Sequence, residues 1–359
     1  MIMGHFVFCL VCLLCLSFCV GGCGSMSTPA NQPATSAAIA YVAHSETHSM
    51  SVINIPADET VSSIEIGTSS ATSATTQPSY PQNVAVSPDG TRAYVTDGVA
   101  SVWVVDTKTS SVLATVPAGT DPQYVVVGPN GKNVYVTIIA CGALPCLASV
   151  EVIDTATNTI ASTISVGKAG GFLSSVTITP DGTRVYVAAG LGNDVWAIDA
   201  ATNSIVATIP TANSGFSDVA VSPDGSRVYA AGWVRGPYVD SYFVDVIDTQ
   251  TNVVSATIDL GNQEGPIRIA ITPDGGHAYV TGEGGHVWVV DTTQNALMTT
   301  IPVSLGSPLQ GIAITPDGTR VYVSCADTNT IYVLGTAAND VVGAIPSNYP
   351  LGLAITRAM

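Results

Sequence analysis

Apolar residues fall in short consecutive runs along this chain, each bounded by Gly, Pro, Asp, Asn, Ser or Thr. The clearest example spans Pro81 to Pro117: PQNVAVSPDGTRAYVTDGVASVWVVDTKTSSVLATVP. It holds β-rich runs at Asn83–Val86, Arg92–Thr96, Ser101–Val105 and Val112–Val116. Each run is too short for a stable helix and rich in Val, so each predicts a strand. The intervening SPDGT and DTKTS fit turns. Pro presets φ, Asp bonds its own backbone, and Gly accepts φ > 0. Apolar positions are consecutive rather than alternating, which predicts strands covered on both faces.

The same pattern is written six times, beginning at Ser87, Gly128, Thr179, Ser222, Thr272 and Thr315. Its second strand occurs seven times, marked by Tyr41, Tyr94, Tyr135, Tyr186, Tyr229, Tyr279 and Tyr322. Before Tyr41 the first strand is missing. At the far end PLGLAITRAM is a first strand without a successor. Four strands per repeat of roughly 40–50 residues is the signature of a propeller blade. The predicted fold is therefore all-β: a seven-bladed β-propeller of four antiparallel strands per blade. The C-terminal strand, Leu351–Thr356, joins the three outer strands of residues 39–67 as the inner strand of blade 1. That pairing closes the ring without exposed inner edges. Blades 2 to 7 then begin near Gln82, Gln123, Ser174, Ser217, Ile267 and Gln310.

Composition agrees with a large β core: the chain is 47% hydrophobic and only 10% charged. A formal charge of −16 argues against nucleic acid as a partner. Residues 1–23 differ in kind. Phe6 to Val20 is almost wholly apolar and is followed by VGGCGS, which reads as an export signal. Residues 24–38, rich in Ser, Thr, Ala, Pro and Asn, read as a flexible tether to a domain of residues 39–359. Of the eight Cys, five lie in the signal. Cys141 and Cys146 bracket a small loop and predict a local disulfide in an oxidising compartment. Cys325 reads as a partly buried residue at a strand end.

Two resemblances add to this. Val20-Gly21-Gly22-Cys23 resembles the lipobox of bacterial lipoproteins, although the preceding MIMGH carries no Lys or Arg. The resemblance implies lipidation at Cys23 and a membrane-anchored protein of the cell envelope, in the periplasm or on the surface. The alternatives are an ordinary cleaved signal or a retained anchor. The repeats themselves resemble the YVTN-type β-propeller repeat over about residues 39–356. That resemblance is specific for fold and nearly silent on activity, because such repeats serve adhesive, structural and enzyme-associated proteins alike.

Most conspicuous residues recur by position and so read as structural. They include Asp89, Asp181, Asp224, Asp274 and Asp317 in the first turn, and Asp106, Asp154, Asp199, Asp248 and Asp291 at the end of the third strand. Arg92, Arg184, Arg227 and Arg320 stand beside the first turn and are expected to pair with these acids. Trp103, Trp196 and Trp288 are expected between blades. Function is expected where repeats differ, on the face opposite the repeated turns. There blade 5 inserts GWVRGPYVDSYF, bringing Trp233, Arg235, Tyr238 and Tyr242. This segment reads either as a partner-binding loop or as a loop folded over its own blade. Glu151 and Asp245 replace the Trp in blades 3 and 5, either anchoring the inserted loops or facing a ligand. Aligned inner strands place Asn83, Tyr124, Ser175, Asp218 and Arg268 together at the channel mouth. Asp218 and Arg268, on adjacent blades, are expected to pair, as a ligand clamp or as simple charge neutralisation.

Catalysis finds little support. There is no G-x-S-x-G, phosphate loop or C-x-x-C-H. Site residues of lactonase or quinoprotein propellers find no counterparts. His44, His48 and His286 read as solvated loop residues rather than as a metal site with Glu46. No cofactor or metal is implied. The preferred expectation is a monomeric binding or scaffold module for an unidentified protein, glycan or small molecule. The alternative is an extracytoplasmic enzyme or metal-binding protein with its site at the channel mouth.

Overall fold

Why the strands are apolar at consecutive positions becomes clear from where the core lies. The computed structural model describes residues 38–55, 57–67, 79–140, 147–166, 172–211 and 214–357. Within them, seven four-stranded antiparallel sheets form the blades of a β-propeller, with no helix among the described residues. The core is divided into seven clusters, one between each pair of neighbouring blades. Val102 and Val104 of blade 2, for example, pack against Val125, Val134 and Val136 of blade 3. Both faces of a central strand are thus dry. Trp196 packs on blade 3 and Trp288 on blade 5, the between-blade role expected of them.

In blade 2 the observed strands are Asn83–Val86, Arg92–Thr96, Ser101–Asp106 and Ser111–Pro117. Blade 1 is composite. Its inner strand, Pro350–Arg357, pairs antiparallel with Ala38–His44, with Tyr41 opposite Ala354. Inner strands contact one another around the axis in an unbroken ring, and Pro350–Arg357 sits between blades 7 and 2. The closing strand runs to Arg357, so Ala38 is buried in the sheet and does not belong to the tether. The lipobox-like Cys23, residues 24–37 and the Cys141/Cys146 pair lie outside the described residues. Cys325 is fully buried, where partial burial was expected, because Ser304 and the blade 6–7 core cover it.

The repeated turns explain the repeated polar residues. In blade 2, Ser87 Oγ donates to Asp89 Oδ1 at 2.6 Å, and the same oxygen accepts the N–H of Thr91 at 3.0 Å. Gly90 takes φ 72°, as the turn requires. At the second turn Asp106 accepts the N–H of Thr109, and Thr107 donates its hydroxyl back to Gly90 O at 2.6 Å. The two turns of a blade are therefore tied together on one face. Only Arg184 pairs with an acid of the recurrent set, Asp199 at 2.5 Å. Arg92 and Arg227 instead reach the next blade, at the carbonyls of Thr155 and Thr292, and Arg320 reaches Asp58. The side chain is long enough to span the gap, and the turn Asp is already bonded within its own turn, as Asp89 is by the Ser87 and Thr91 hydroxyls and the Thr91 N–H. A register shift separates the third strand from the fourth in every blade. Such bulges twist the outer edge strand away from neighbours it could pair with.

Candidate functional site

Inner strands begin on the face opposite the repeated turns, and their first residues surround the axis. Sheet register confirms that Asn83, Ser175, Asp218 and Arg268 occupy equivalent positions, opposite Thr96, Ala188, Ala231 and Thr281. Asp218 and Arg268 do not form the contact ion pair expected of them. Asp218 is buried and its oxygens are already taken: Oδ1 accepts from Ser175 Oγ and from the N–H of Val219, and Oδ2 from the N–H of Ile269 at 2.8 Å. Burial pushes its carboxyl up, opposed by Arg268 and these donors. Asp218 thus bridges blades 4, 5 and 6. The reason lies in the second strand. Blade 2 links to its neighbour through Thr96 Oγ1 to Gln123 O, and blade 7 through Ser324 Oγ to Leu351 O. Blades 4 and 5 have Ala188 and Ala231 there, and Ser175 with Asp218 supply the missing link.

Arg268 turns the other way. Its guanidinium lies 4.7 Å from the ring centroid of Tyr124, and one Nη donates to Ile267 O at 2.9 Å. Burial opposes its charge, but Tyr124 and Asp218 favour it by more, so Arg268 stays protonated. Besides Ile267 O, the guanidinium also bonds the Tyr124 side chain, so two of its contacts are made within the protein.

The blade 5 insertion is less of a loop than its sequence suggests. Trp233 belongs to the second strand, Arg227–Val234, and pairs with Tyr242 of the third, Ser241–Asp248. Only residues 235–240 turn. A Cβ on Gly215 would lie 2.4 Å from the Trp233 indole, and one on Gly190 1.9 Å from the Phe172 ring. Both aromatics therefore rest on bare glycine backbone, as the reading of a segment folded over its own blade expects of Trp233. Trp233 packs on its own blade with one face, while Tyr238 at the tip is 96% exposed.

The other face of Trp233 lines a cavity of about 450 Å³. Blades 3 to 6 all contribute. Tyr124, Trp233, Arg235, Tyr242 and Arg268 line it, so the insertion and the channel mouth, separate in the sequence, share one cavity. Asn83, Asp218 and Tyr238 do not line it. Phe172, Phe216, Asp240 and Glu283 do, and sequence reasoning missed them. Asp240 belonged to the quoted insertion and was passed over for the aromatics. Phe172 and Glu283 sit in short connections with no repeat to mark them. The rim carries charge of both signs. Burial pushes the Tyr242 hydroxyl up, and the nearby carboxylates of Asp240 and Glu283 add to this. Asp240 also accepts the N–H of Gly236 at 3.2 Å.

Glu151 and Asp245 do not reach the cavity. Thr257 donates to Asp245 at 2.6 Å, and burial pushes the Glu151 carboxyl up. The histidines are engaged rather than solvated. His44 is buried between Asn348 O and Ser51 Oγ, His48 bonds Ser79 O, and His286 pairs with Glu264 at 3.1 Å. Among the described residues no three His, Cys, Asp or Glu side chains gather as metal ligands.

No family model matches the chain, and no curated protein matches it. Solved structures do. A hydrazine synthase structure from Kuenenia stuttgartiensis is similar at TM-score 0.69 and 21% identity, covering 81% of this chain and 99% of that one. A protein from Desulfotomaculum acetoxidans, described as functionally unknown, is similar at TM-score 0.70 and 16% identity, covering 89% and 99%. Dihydro-heme d1 dehydrogenase NirN, in complex with DHE, is similar at TM-score 0.59 and 17% identity, covering 88% and 74%. At these identities the likeness is one of fold. The chain is a seven-bladed β-propeller.

Proposed function

We propose that this chain is an exported binding module built on YVTN-type repeats, anchored to the cell envelope through Cys23, which takes its ligand in the cavity of blades 3 to 6. One observation carries the reading: five residues singled out for their chemistry, Tyr124, Trp233, Arg235, Tyr242 and Arg268, line one cavity on the face where the repeats differ. Aromatic rings with a few polar groups are what small-ligand sites present. A catalytic reading gains less. Ser174 and Ser217, the serine hydroxyls in the lining, donate to Ala188 O and Ala231 O rather than to a base.

The test has two parts. Thermal-shift screening of the soluble domain against metabolites and glycans should find stabilising ligands whose effect Trp233→Phe and Arg268→Gln diminish. Stabilisation that both variants retain would place the site elsewhere. Labelled palmitate should enter the wild type and not Cys23→Ser. Equal labelling would remove the lipid anchor from the proposal.

A further inference from the structure

We propose that the cavity is a saccharide site, taking one or two rings of a neutral or net-neutral sugar. The inference rests on the binding reading above and narrows it to a ligand class.

Charge comes first. The lining carries two guanidiniums, Arg235 and Arg268, and two carboxylates, Asp240 and Glu283. Asp218 adds a buried carboxyl just beneath Arg268. The site is therefore balanced, on a protein whose formal charge is −16. A simple anion drawn to the two Arg would meet two carboxylates. A cation drawn to the carboxylates would meet the two Arg. An apolar ligand would strip water from four charged groups and pair none of them, which is costly.

Hydrogen-bonding capacity gives the positive argument. Arg235 makes no side-chain bond to described residues, and Arg268, with five N–H donors, spends some on Ile267 O and on the Tyr124 side chain and keeps the rest. The Glu283 carboxylate likewise has no bonded partner there, and its side chain lies over Gly265 with 3.1 Å to a notional Cβ. Forked donors and forked acceptors thus face one space. Vicinal hydroxyls match both, since each hydroxyl donates once and accepts through its lone pairs. Trp233, Tyr124 and Tyr242 line the same space, with one face of Tyr124 taken by the Arg268 guanidinium. A pyranose has a face of C–H groups bearing slight positive charge, and an aromatic face is slightly negative. Trp233 is held for this by its seat on Gly215, so little side-chain freedom is lost on binding. The volume of about 450 Å³ lies within the range of small-ligand pockets.

The experiment uses the full chain and defined sugars: glucose, galactose, N-acetylglucosamine and their β-linked disaccharides, followed by calorimetry and tryptophan fluorescence. Of the four Trp, Trp233 lines the cavity. Saturable binding should shift the emission, and Trp233→Phe should abolish that shift. Glu283→Gln and Tyr242→Ala should each weaken binding roughly tenfold or more, the usual effect of losing a charged hydrogen bond or an aromatic anchor. Glu283 is exposed, so its variant should melt like the wild type. Citrate and a short alkyl glycol run in parallel. If no sugar binds but citrate or the glycol does so in a Tyr242-dependent way, the ligand class is wrong and the binding reading survives. Sugar binding unaffected by all three variants overturns the site. If no probe depends on Trp233 or Tyr242, both the inference and the reading beneath it fall.

Discussion

Tyr322 of blade 7 donates its hydroxyl to Oδ1 of Asp58 in blade 1 at 2.5 Å, and Arg320 holds Oδ2 of the same carboxylate at 2.8 Å. This contact crosses the seam where the chain's two ends close the ring. In two other blades the matching Tyr bonds an Asn in the left-handed region: Tyr186 to Asn252, and Tyr279 to Asn339. Asp58 sits at φ 52°, in the same conformation. Asp58→Asn should therefore keep the Tyr322 bond and lose only a half-exposed ion pair, within about 1 kcal/mol of wild type. Asp58→Ala leaves the Tyr322 hydroxyl with its long 3.5 Å contact to Ile55 O in place of the short bond, and places a Cβ residue without Asn's local bonding at positive φ. It should cost about 2 kcal/mol. Urea unfolding of both variants checks this, and equal losses would show that the carboxylate's charge governs the seam.

Removing the closing strand is a harsher version of the same test. Deletion of residues 350–359 takes the inner strand from blade 1 and exposes the edge of Ala38–His44. It also uncovers the inner strands of blades 7 and 2. The truncated protein should aggregate or unfold without cooperativity. A melt like that of the full chain would mean the ring does not need this strand.

Asp218 should act on stability before it acts on ligands. Asp218→Ala leaves Ser175 Oγ and the N–H groups of Val219 and Ile269 facing a void, at a cost of about 3 kcal/mol. Adding Ala231→Thr gives blade 5 the hydroxyl that Thr96 provides in blade 2. The double variant should recover part of the loss in a denaturant series. If it recovers nothing, the two positions do not share one task.

The fold was legible because the residues that specify it repeat. The Asp side chains of both turns bond within two or three residues of themselves, so their meaning survives in a local reading. The missing strand before Tyr41 and the spare strand after Pro350 could be matched by counting. The site was legible only in pieces. Tyr124 and Arg268 stood out by alignment of inner strands, and Trp233 and Tyr242 by insertion. That they share a cavity depends on Trp233 extending a strand and folding over Gly215, a non-local fact. Asp218 misled for a related reason. A charge next to Arg268 suggests a pair, but backbone donors of the next blade claimed it first.

Acid should weaken the propeller from its turns. Nine aspartates are held below their ordinary values, such as Asp89 by the Ser87 hydroxyl and the Thr91 N–H, and Asp106 by the N–H and hydroxyl of Thr109. A depressed folded pKa means the unfolded chain binds protons more readily. The stabilisation is present above the unfolded value of about 3.9 and is lost as pH falls through the lower folded values. Asp218 and Glu151, pushed up by burial, contribute in the opposite sense, two groups against nine. These turns are largely exposed, so each contributes little and the sum is what shows. Melting temperature should drop steeply below about pH 4. Changing Asp89, Asp181, Asp224, Asp274 and Asp317 to Asn should lower stability at pH 7 and flatten that slope. An unchanged slope would assign acid sensitivity elsewhere.

Trp233 and Arg235 are two residues apart and should behave differently. Trp233 is part of a paired strand and covers Gly215, so Trp233→Ala removes packing as well as a binding surface. It should cost about 1–3 kcal/mol of stability, less than a fully buried Trp because one face meets the cavity. Arg235 is exposed, and only its backbone N–H is engaged, with Ser214 Oγ at 2.9 Å. Arg235→Ala should therefore change stability by no more than about 0.5 kcal/mol. If the cavity is the binding site, both variants lose affinity, by about 1–3 kcal/mol each. Thermal melts and ligand titrations on the same preparations separate the two effects. A destabilised Trp233→Ala with unchanged affinity would assign the indole to packing alone. A destabilised Arg235→Ala would show that residues 235–240 are held by contacts of the guanidinium rather than by the hairpin beneath them.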